Sequence, residues 1–343
     1  MEKFGPRRLI AIGTVMAGMS WVLSAQVNGL ATLWLVYGCM GGLGTGIVYI
    51  GVVGLMVKWF PQQRGFAAGA VAAGYGMGAI ITTFPISLSL TTNGLEHTMT
   101  TFGILFALVG FLASQGLKLP PPAVSQPVSQ TVVQSSRSFT SREMLRQPLF
   151  WLMFAMMAMM STSGLMVTSQ MAVFAEDFGI SQAVVFGMAA LPLALTIDRF
   201  TNGLTRPLFG FISDRFGREQ TMFIAFALEG VAMMLWLACR EDPLLFVLLS
   251  GVVFFGWGEI FSLFPSTLTD TFGSEHAASN YGWLYISQGI GSIFGGPLAA
   301  LLYQHTHGWH VVFSCAIGLD FVTAALALWV LKPWRARFIR QHS

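Results

Sequence analysis

Apolar residues run along this chain in stretches of about twenty, broken by short clusters of charge, Gly and Pro. Ten stretches stand out, at roughly 9–27, 31–57, 66–88, 99–117, 149–174, 184–212, 221–239, 244–267, 279–303 and 310–331. Runs of that length match the ~30 Å hydrocarbon core of a bilayer. They are continuous rather than alternating, so they predict membrane-crossing helices and not barrel strands. The fold class expected is an all-α polytopic membrane protein with about ten transmembrane helices. Residues 118–147 interrupt the pattern with Pro120-Pro121-Pro122 and a Ser- and Gln-rich run to Ser138. That composition predicts a flexible linker between two bundles. It ends in Thr140-Ser141-Arg142-Glu143, a capping-box pattern that starts a short helix.

Composition agrees: 54% of residues are hydrophobic and 10% charged, against about 25% charged in a soluble domain. The placement of charge says more than the net +3. Fifteen of the eighteen Lys and Arg fall before the first stretch, after the second, in the 118–147 segment, after the sixth, or in the tail. By the positive-inside rule the linker and both termini are expected in the cytoplasm. Arg240 lies on the other side, and Arg199 and Arg206 lie inside. The charged first residues do not resemble a signal peptide. Cys39, Cys239 and Cys315 form neither a disulfide framework nor a metal spacing.

The chain repeats itself. Glu2-Lys3-Phe4-Gly5 aligns with Asp214-Arg215-Phe216-Gly217 at an offset of 212, and Gly44–Tyr49 aligns with Gly256–Phe261 at the same offset. Tyr75-Gly76-Met77-Gly78 aligns with Gln288-Gly289-Ile290-Gly291 at 213. Ordered matches at one offset predict two pseudo-symmetric helical bundles with a substrate site between them near the midplane. Two spans, 149–212, precede the Asp-Arg-Phe-Gly loop, and nothing precedes its first copy. Two spans, roughly 65 residues by the repeat, are therefore expected before Met1, through an internal start in a longer protein or a truncated gene. The expected division is an N-terminal bundle lacking two helices (1–117), a cytoplasmic linker (118–147), a six-helix C-terminal bundle (148–334) and a basic cytoplasmic tail (335–343).

Gly210-Phe-Ile-Ser-Asp214-Arg215-Phe216-Gly217-Arg218 resembles the signature cytoplasmic loop of the major facilitator superfamily. Lys58-Trp59-Phe60-Pro61 with Arg64-Gly65, Asn202-Gly203 with Arg206, Phe264-Pro265-Ser266 and Asn280-Tyr281-Gly282 are similar to the oxalate–formate antiporter family within it. The resemblance implies helices three to twelve of a twelve-helix carrier. It also implies a small carboxylate held between the bundles by an arginine, here Arg206, and boxed by aromatics, here Tyr49, Tyr75, Trp257, Phe261 and Tyr285. The family's second cation falls on Gln288. A dicarboxylate wants two cations, so a monocarboxylate is favoured over oxalate.

Arg206 stands on chemical grounds as well. A guanidinium keeps its charge in a protein, and a charge at membrane depth faces a partner, a cavity or a substrate. Arg199, seven residues earlier on the same helical face, is its rival. Glu259 and Asp198 are candidates for a proton carrier or for a counter-charge to an arginine, and Glu229 and Asp320 are read the same way. Asp214, Arg215 and Arg218 read as a gating latch. His305, His307 and His310 read as a polar loop. The sequence shows no Ser-His-Asp or metal-ligand constellation, so neither an enzyme nor a cofactor is expected. The function expected is secondary transport of a small organic anion across a bacterial cytoplasmic membrane, by antiport or proton symport. The expected partners are a small carboxylate and the lipid bilayer, with no nucleic acid, and the carrier is expected to be a monomer. A non-transporting sensor or a decayed carrier fragment is the alternative.

Overall fold

The computed structural model describes residues 5–121 and 133–342. Glu2, Lys3 and Phe4 of the repeat, Pro122 with most of the Ser- and Gln-rich stretch, and Ser343 of the tail lie outside the described residues. Among the described residues the regular structure is helical, except for a hairpin of two two-residue strands. In order come α1 (Gly5–Ser24), α2 (Leu30–Trp59), α3 (64–93), α4 (95–115), α5 (Ser141–Leu145), α6 (Pro148–Thr168), α7 (Met171–Asp177), α8 (Ala190–Phe216), α9 (Arg218–Ala238), α10 (Pro243–Phe272), α11 (Ala277–Thr306) and α12 (Trp309–His342). Among the described residues, seven helical stretches are long and apolar enough to cross a membrane. One of them, Arg64–Gln115, turns at Gly94 (φ 79°, ψ 177°) and supplies both α3 and α4. The charges of α8 keep it out of that set despite its 27 residues. With α1 they account for the ten spans expected.

The repeat is visible in the helix ends. Leu30–Trp59 and Pro243–Phe272 begin and end 213 positions apart, as do α3 and α11. The turn after each of the latter pair is left-handed, at Gly94 (φ 79°) and His307 (φ 51°). Two bundles follow, α1–α4 and α6–α12. α1 packs on α2 and α4, α6 on α11 and α12, α8 on α10, and α9 on α10 and α12.

Three features differ from the apolar pattern. The sixth stretch begins as the hairpin Val184-Val185/Met188-Ala189, because Phe186 and Gly187 both take positive φ and close a tight turn. The fifth ends at Thr168, and α7 is a separate helix. The basic tail continues α12 through Lys332–His342, and its Arg335 is buried, donating to Glu219 Oε1 at 2.7 Å, Thr271 Oγ1 at 2.7 Å and the Val133 carbonyl at 2.6 Å.

The capping box forms. Thr140 Oγ1 accepts from the Glu143 backbone N–H at 3.3 Å, and Glu143 accepts from the Thr140 N–H at 2.9 Å. That backbone N–H, more than the Thr140 hydroxyl or Arg137, holds the Glu143 carboxyl below the usual range. Its contribution to α5 is present at neutral pH and lost as pH falls through that lowered value. The described linker then strings along the end of α10, with Ser135 N–H to Asp270 O and Phe139 N–H to Phe272 O, both at 2.8 Å. The end of the molecule holding these contacts is its linker face.

The bundles meet where α3 crosses α8. Small residues let the backbones touch. A Cβ on Gly65 would collide with Gly210 O, and one on Gly69 with Arg206 O. Along α3, residues 64–73 are mostly buried and 74–93 mostly are not, so the halves close at the linker face and diverge toward the opposite one. Gly69→Val is expected to force α3 off α8 at an overpacking cost of about 1–3 kcal/mol. The check is the thermal midpoint of the purified protein in detergent. An unchanged midpoint would mean that the crossing is not tight.

Candidate functional site

Arg206 sits at this crossing. Ten residues separate it from the end of α8 at Phe216, a depth of about 15 Å at 1.5 Å per residue, near the middle of the membrane. Its side chain is buried, and two of its nitrogens are committed. Nη1 donates to Ala72 O of α3 at 2.6 Å, and Nη2 donates to Asn202 Oδ1 one turn back at 2.7 Å. The guanidinium lies over the Phe261 ring, 4.5 Å from its centroid. Nε has no partner, and no carboxylate lies within ion-pair distance among the described residues. Gly76 of α3 leaves the room: a Cβ there would stand 3.1 Å from Nη1.

Aromatic rings surround this cation. Tyr49 of α2 is buried, with its ring 5.1 Å from Tyr75, 5.3 Å from Tyr285 and 6.3 Å from Tyr281. Phe261 is 6.3 Å from Tyr285 and 5.9 Å from Trp257. Trp257 is pinned by Nε1–H to Met160 O at 3.2 Å, against a space that only Gly164 leaves open. The hydroxyls of Tyr49 and Tyr281 are buried facing one another, and neither reaches any other partner. The structure thus gathers Arg206, Tyr49, Tyr75, Phe261, Trp257 and Tyr285 from α2, α3, α8, α10 and α11. Tyr281 joins them, although the sequence marked it only as part of Asn280-Tyr281-Gly282. It is one helical turn before Tyr285, and that spacing was the available signal. Gln288, a turn beyond Tyr285, is half-buried and extends the same row.

Tyr75 is 56% exposed and lines a cavity of about 820 Å³ among α1, α2, α3 and α4, with Ser20, Tyr37, Thr45, Thr82 and Phe106. The ring therefore stands between the enclosed cation and open space. Arg199, its expected rival, is exposed, while Asp198 beside it is buried with both carboxylate oxygens unpartnered. Seven residues fall short of two full turns by about 20°, and Arg199 lies farther toward the diverging end, where α3 no longer covers α8.

The loop after α8 forms a charge network. Gly217 (φ 96°) lets α9 start at once, so Arg218 folds back to Asp214 at 2.7 Å and to Asp270 of α10 at 2.8 Å. Asp270 also takes Arg64 of α3 at 2.8 Å. Asp214 accepts the Gly65 and Phe66 backbone N–H groups, each at 2.9 Å. Arg64, Asp214, Arg218 and Asp270 are all buried. Arg215 is not part of the network; it is exposed and stacks on Phe211 at 4.3 Å, because its position on α8 points it away from α3. Arg64 and Asp270 were missed as members. Asp270 lies just beyond the eighth apolar stretch, and only the fold brings it to the loop.

The sequence comparisons agree with this architecture. The family model described as Major Facilitator Superfamily matches residues 1–199 and 189–342. The chain is 31% identical over 333 residues to the oxalate:formate antiporter of Oxalobacter formigenes, covering 96% of this chain and 77% of that protein. It is 29% identical over 292 residues to the uncharacterized MFS-type transporter YhjX of Escherichia coli strain K12, covering 85% and 71%. In fold it is similar to the crystal structure of the transporter FucP in the outward conformation, with a TM-score of 0.66 at 16% identity, covering 95% of this chain and 84% of that one. The chain belongs to the major facilitator superfamily of integral membrane transporters.

Proposed function

We propose that this protein carries a small monocarboxylate by alternating access, with Arg206 as the anchor for the carboxylate. One observation carries the reading. A permanent cation is held near mid-membrane, oriented by Ala72 O, Asn202 and Phe261, with no anionic partner among the described residues and its Nε–H unpartnered. Such a charge is costly in a membrane interior and calls for an anion. The planar fork suits a carboxylate, and the Tyr49 and Tyr281 hydroxyls supply neutral donors around it. One cation with neutral donors favours a single negative charge, and Gln288 at the family's second cationic position supports the same preference. The oxalate:formate antiporter supports the substrate class, and the FucP likeness supports the fold alone.

The carrier is read as a monomer in a bacterial cytoplasmic membrane, with the linker face and both described ends in the cytoplasm, where Lys and Arg concentrate. The Arg64–Asp270–Arg218–Asp214 network closes that face, leaving the site reachable from the opposite one. Opening the network and closing the far ends of α3 and α8 would carry the site across.

Calorimetric titration of the purified protein with formate, acetate and oxalate tests the reading. Formate or acetate is expected to bind more tightly than oxalate; binding of none of them would remove the carboxylate assignment. Tyr49→Phe and Tyr281→Phe each remove one hydroxyl donor. Each is expected to weaken monocarboxylate binding by about 2- to 12-fold, the equivalent of ~0.5–1.5 kcal/mol per neutral hydrogen bond. Unchanged affinity in both would place the hydroxyls outside the site.

A further inference from the structure

The C-terminal bundle hides three more carboxylates that the anion site does not use. Glu229 of α9, Glu259 of α10 and Asp320 of α12 are each 0% exposed, and all six of their oxygens lack a hydrogen-bond partner. Glu229 lies eleven and nine residues from the ends of α9, and Glu259 sixteen and thirteen from those of α10. All three are therefore at about mid-membrane depth, level with Arg206. They are also neighbours. A Cβ on Gly230 would stand 3.4 Å from the Asp320 Cβ, and one on Gly256, a turn before Glu259, 2.8 Å from the Glu229 Cβ. Glu229 interacts electrostatically with both Asp320 and Glu259. Glu259 interacts electrostatically with both Asp320 and Arg206. From α6, Ser163 abuts Asp320 but gives its own proton to Ala316 O at 3.1 Å. Asp198 is outside the reach of the three.

The repeat does not call for acids at these positions. At the repeat offset of 212 or 213 the N-terminal bundle holds Met16 or Ala17, Gly46 or Ile47, and Ala107 or Leu108 in their places. Three carboxylates with no donor and no ion pair cannot all stay ionised in so apolar a setting. Among the described residues no His, Cys, Asp and Glu group is arranged to hold a metal ion. The ligand that fits unpartnered carboxylates in a fully buried, mid-membrane group is a proton.

We propose that Glu229, Glu259 and Asp320 form a proton-binding site coupled to Arg206 through Glu259. This inference rests on the carboxylate-carrier reading. With Arg206 empty, its charge favours an ionised Glu259. When a carboxylate docks, that charge is compensated, and one proton from the same side adds to a carboxylate oxygen of the group. Release on the far side returns both. One anion and one proton cross together, with no net charge moved.

The experiment has two readouts on the purified wild-type protein, and calorimetry with formate is run in parallel. First, formate is added to lightly buffered protein with a pH indicator. The expected result is uptake of about one proton per bound formate. Formate binding without proton uptake would overturn the coupling. Second, the infrared carbonyl stretch of protonated carboxylic acids is followed against pH. A band is expected in the wild type and should be lost in the Glu229→Gln/Glu259→Gln/Asp320→Asn variant, with helical content checked by circular dichroism. The same band in that variant, or none in the wild type, would overturn the proton site. If formate does not bind, the carboxylate reading fails by itself, and the infrared band still decides whether the acids hold a proton. In proteoliposomes, one proton per anion lets a pH step of one unit sustain about a tenfold formate gradient. Accumulation driven by sodium in place of pH would contradict the proposal.

Discussion

Arg206→Gln is expected to abolish carboxylate transport while leaving the protein folded and inserted. A guanidinium gives a carboxylate two charge-assisted hydrogen bonds worth about 1.5–3 kcal/mol each. Their loss corresponds to roughly a hundred- to ten-thousand-fold weaker binding. Stability should move little or even rise, because the substitution removes a buried cation that has no anionic partner. Arg206→Lys keeps the charge but not the planar fork, and should fall between the two. Titration calorimetry and the thermal midpoint, measured on the same samples, separate the roles. A sharply lowered midpoint with affinity retained would make Arg206 a structural tie between α3 and α8, through Ala72 O.

Asp270→Asn should have the second largest effect, on stability and on the balance of states. Asp270 is fully buried and takes both Arg64 and Arg218. Removing one partner of a buried pair costs about 3–5 kcal/mol, because the remaining charge is left uncompensated. The two arginines can recover part of that by hydration if the linker face opens. The variant is therefore expected to melt earlier and to shift toward a state open at the linker face. Spin labels placed on Gln63 and Glu275 should report a longer distance in the variant. An unchanged distance together with an unchanged midpoint would show that the network does not hold the face closed.

Much of this was legible in the sequence because membrane folding writes it in one dimension. Continuous apolar runs set the helices, and the 212–213 offset set the pairing of bundles. The repeat was more regular than the motifs alone suggested, extending to the left-handed turn shared by Gly94 and His307. Arg206 was legible because a charge in an apolar run is conspicuous. Tyr281 was not, since a tyrosine in a membrane helix has many ordinary uses and only the crossing of α2 and α11 brings it to Tyr49. Asp270 was hidden for the opposite reason: it follows the eighth apolar stretch as an ordinary end-of-helix acid would, and its partners lie 52 and 206 residues away. Glu259 was expected as a proton carrier or as a counter-charge. Its oxygens are unpartnered and no ion pair joins it to Arg206, which supports the proton role we propose for it. Arg199 shows the limit of helical periodicity, which places residues on a face but not under a neighbouring helix.

The central claim is that Arg206 carries a small carboxylate across the membrane, and counterflow tests it most directly. Proteoliposomes holding the purified protein are loaded with unlabelled formate, and entry of labelled formate is followed for the wild type and for Arg206→Gln. The account predicts entry that is stimulated by the internal formate and is lost in Arg206→Gln at equal protein content. Equal entry in the variant, or none in the wild type, would contradict it, and the second result would leave a non-transporting sensor or fragment as the better account.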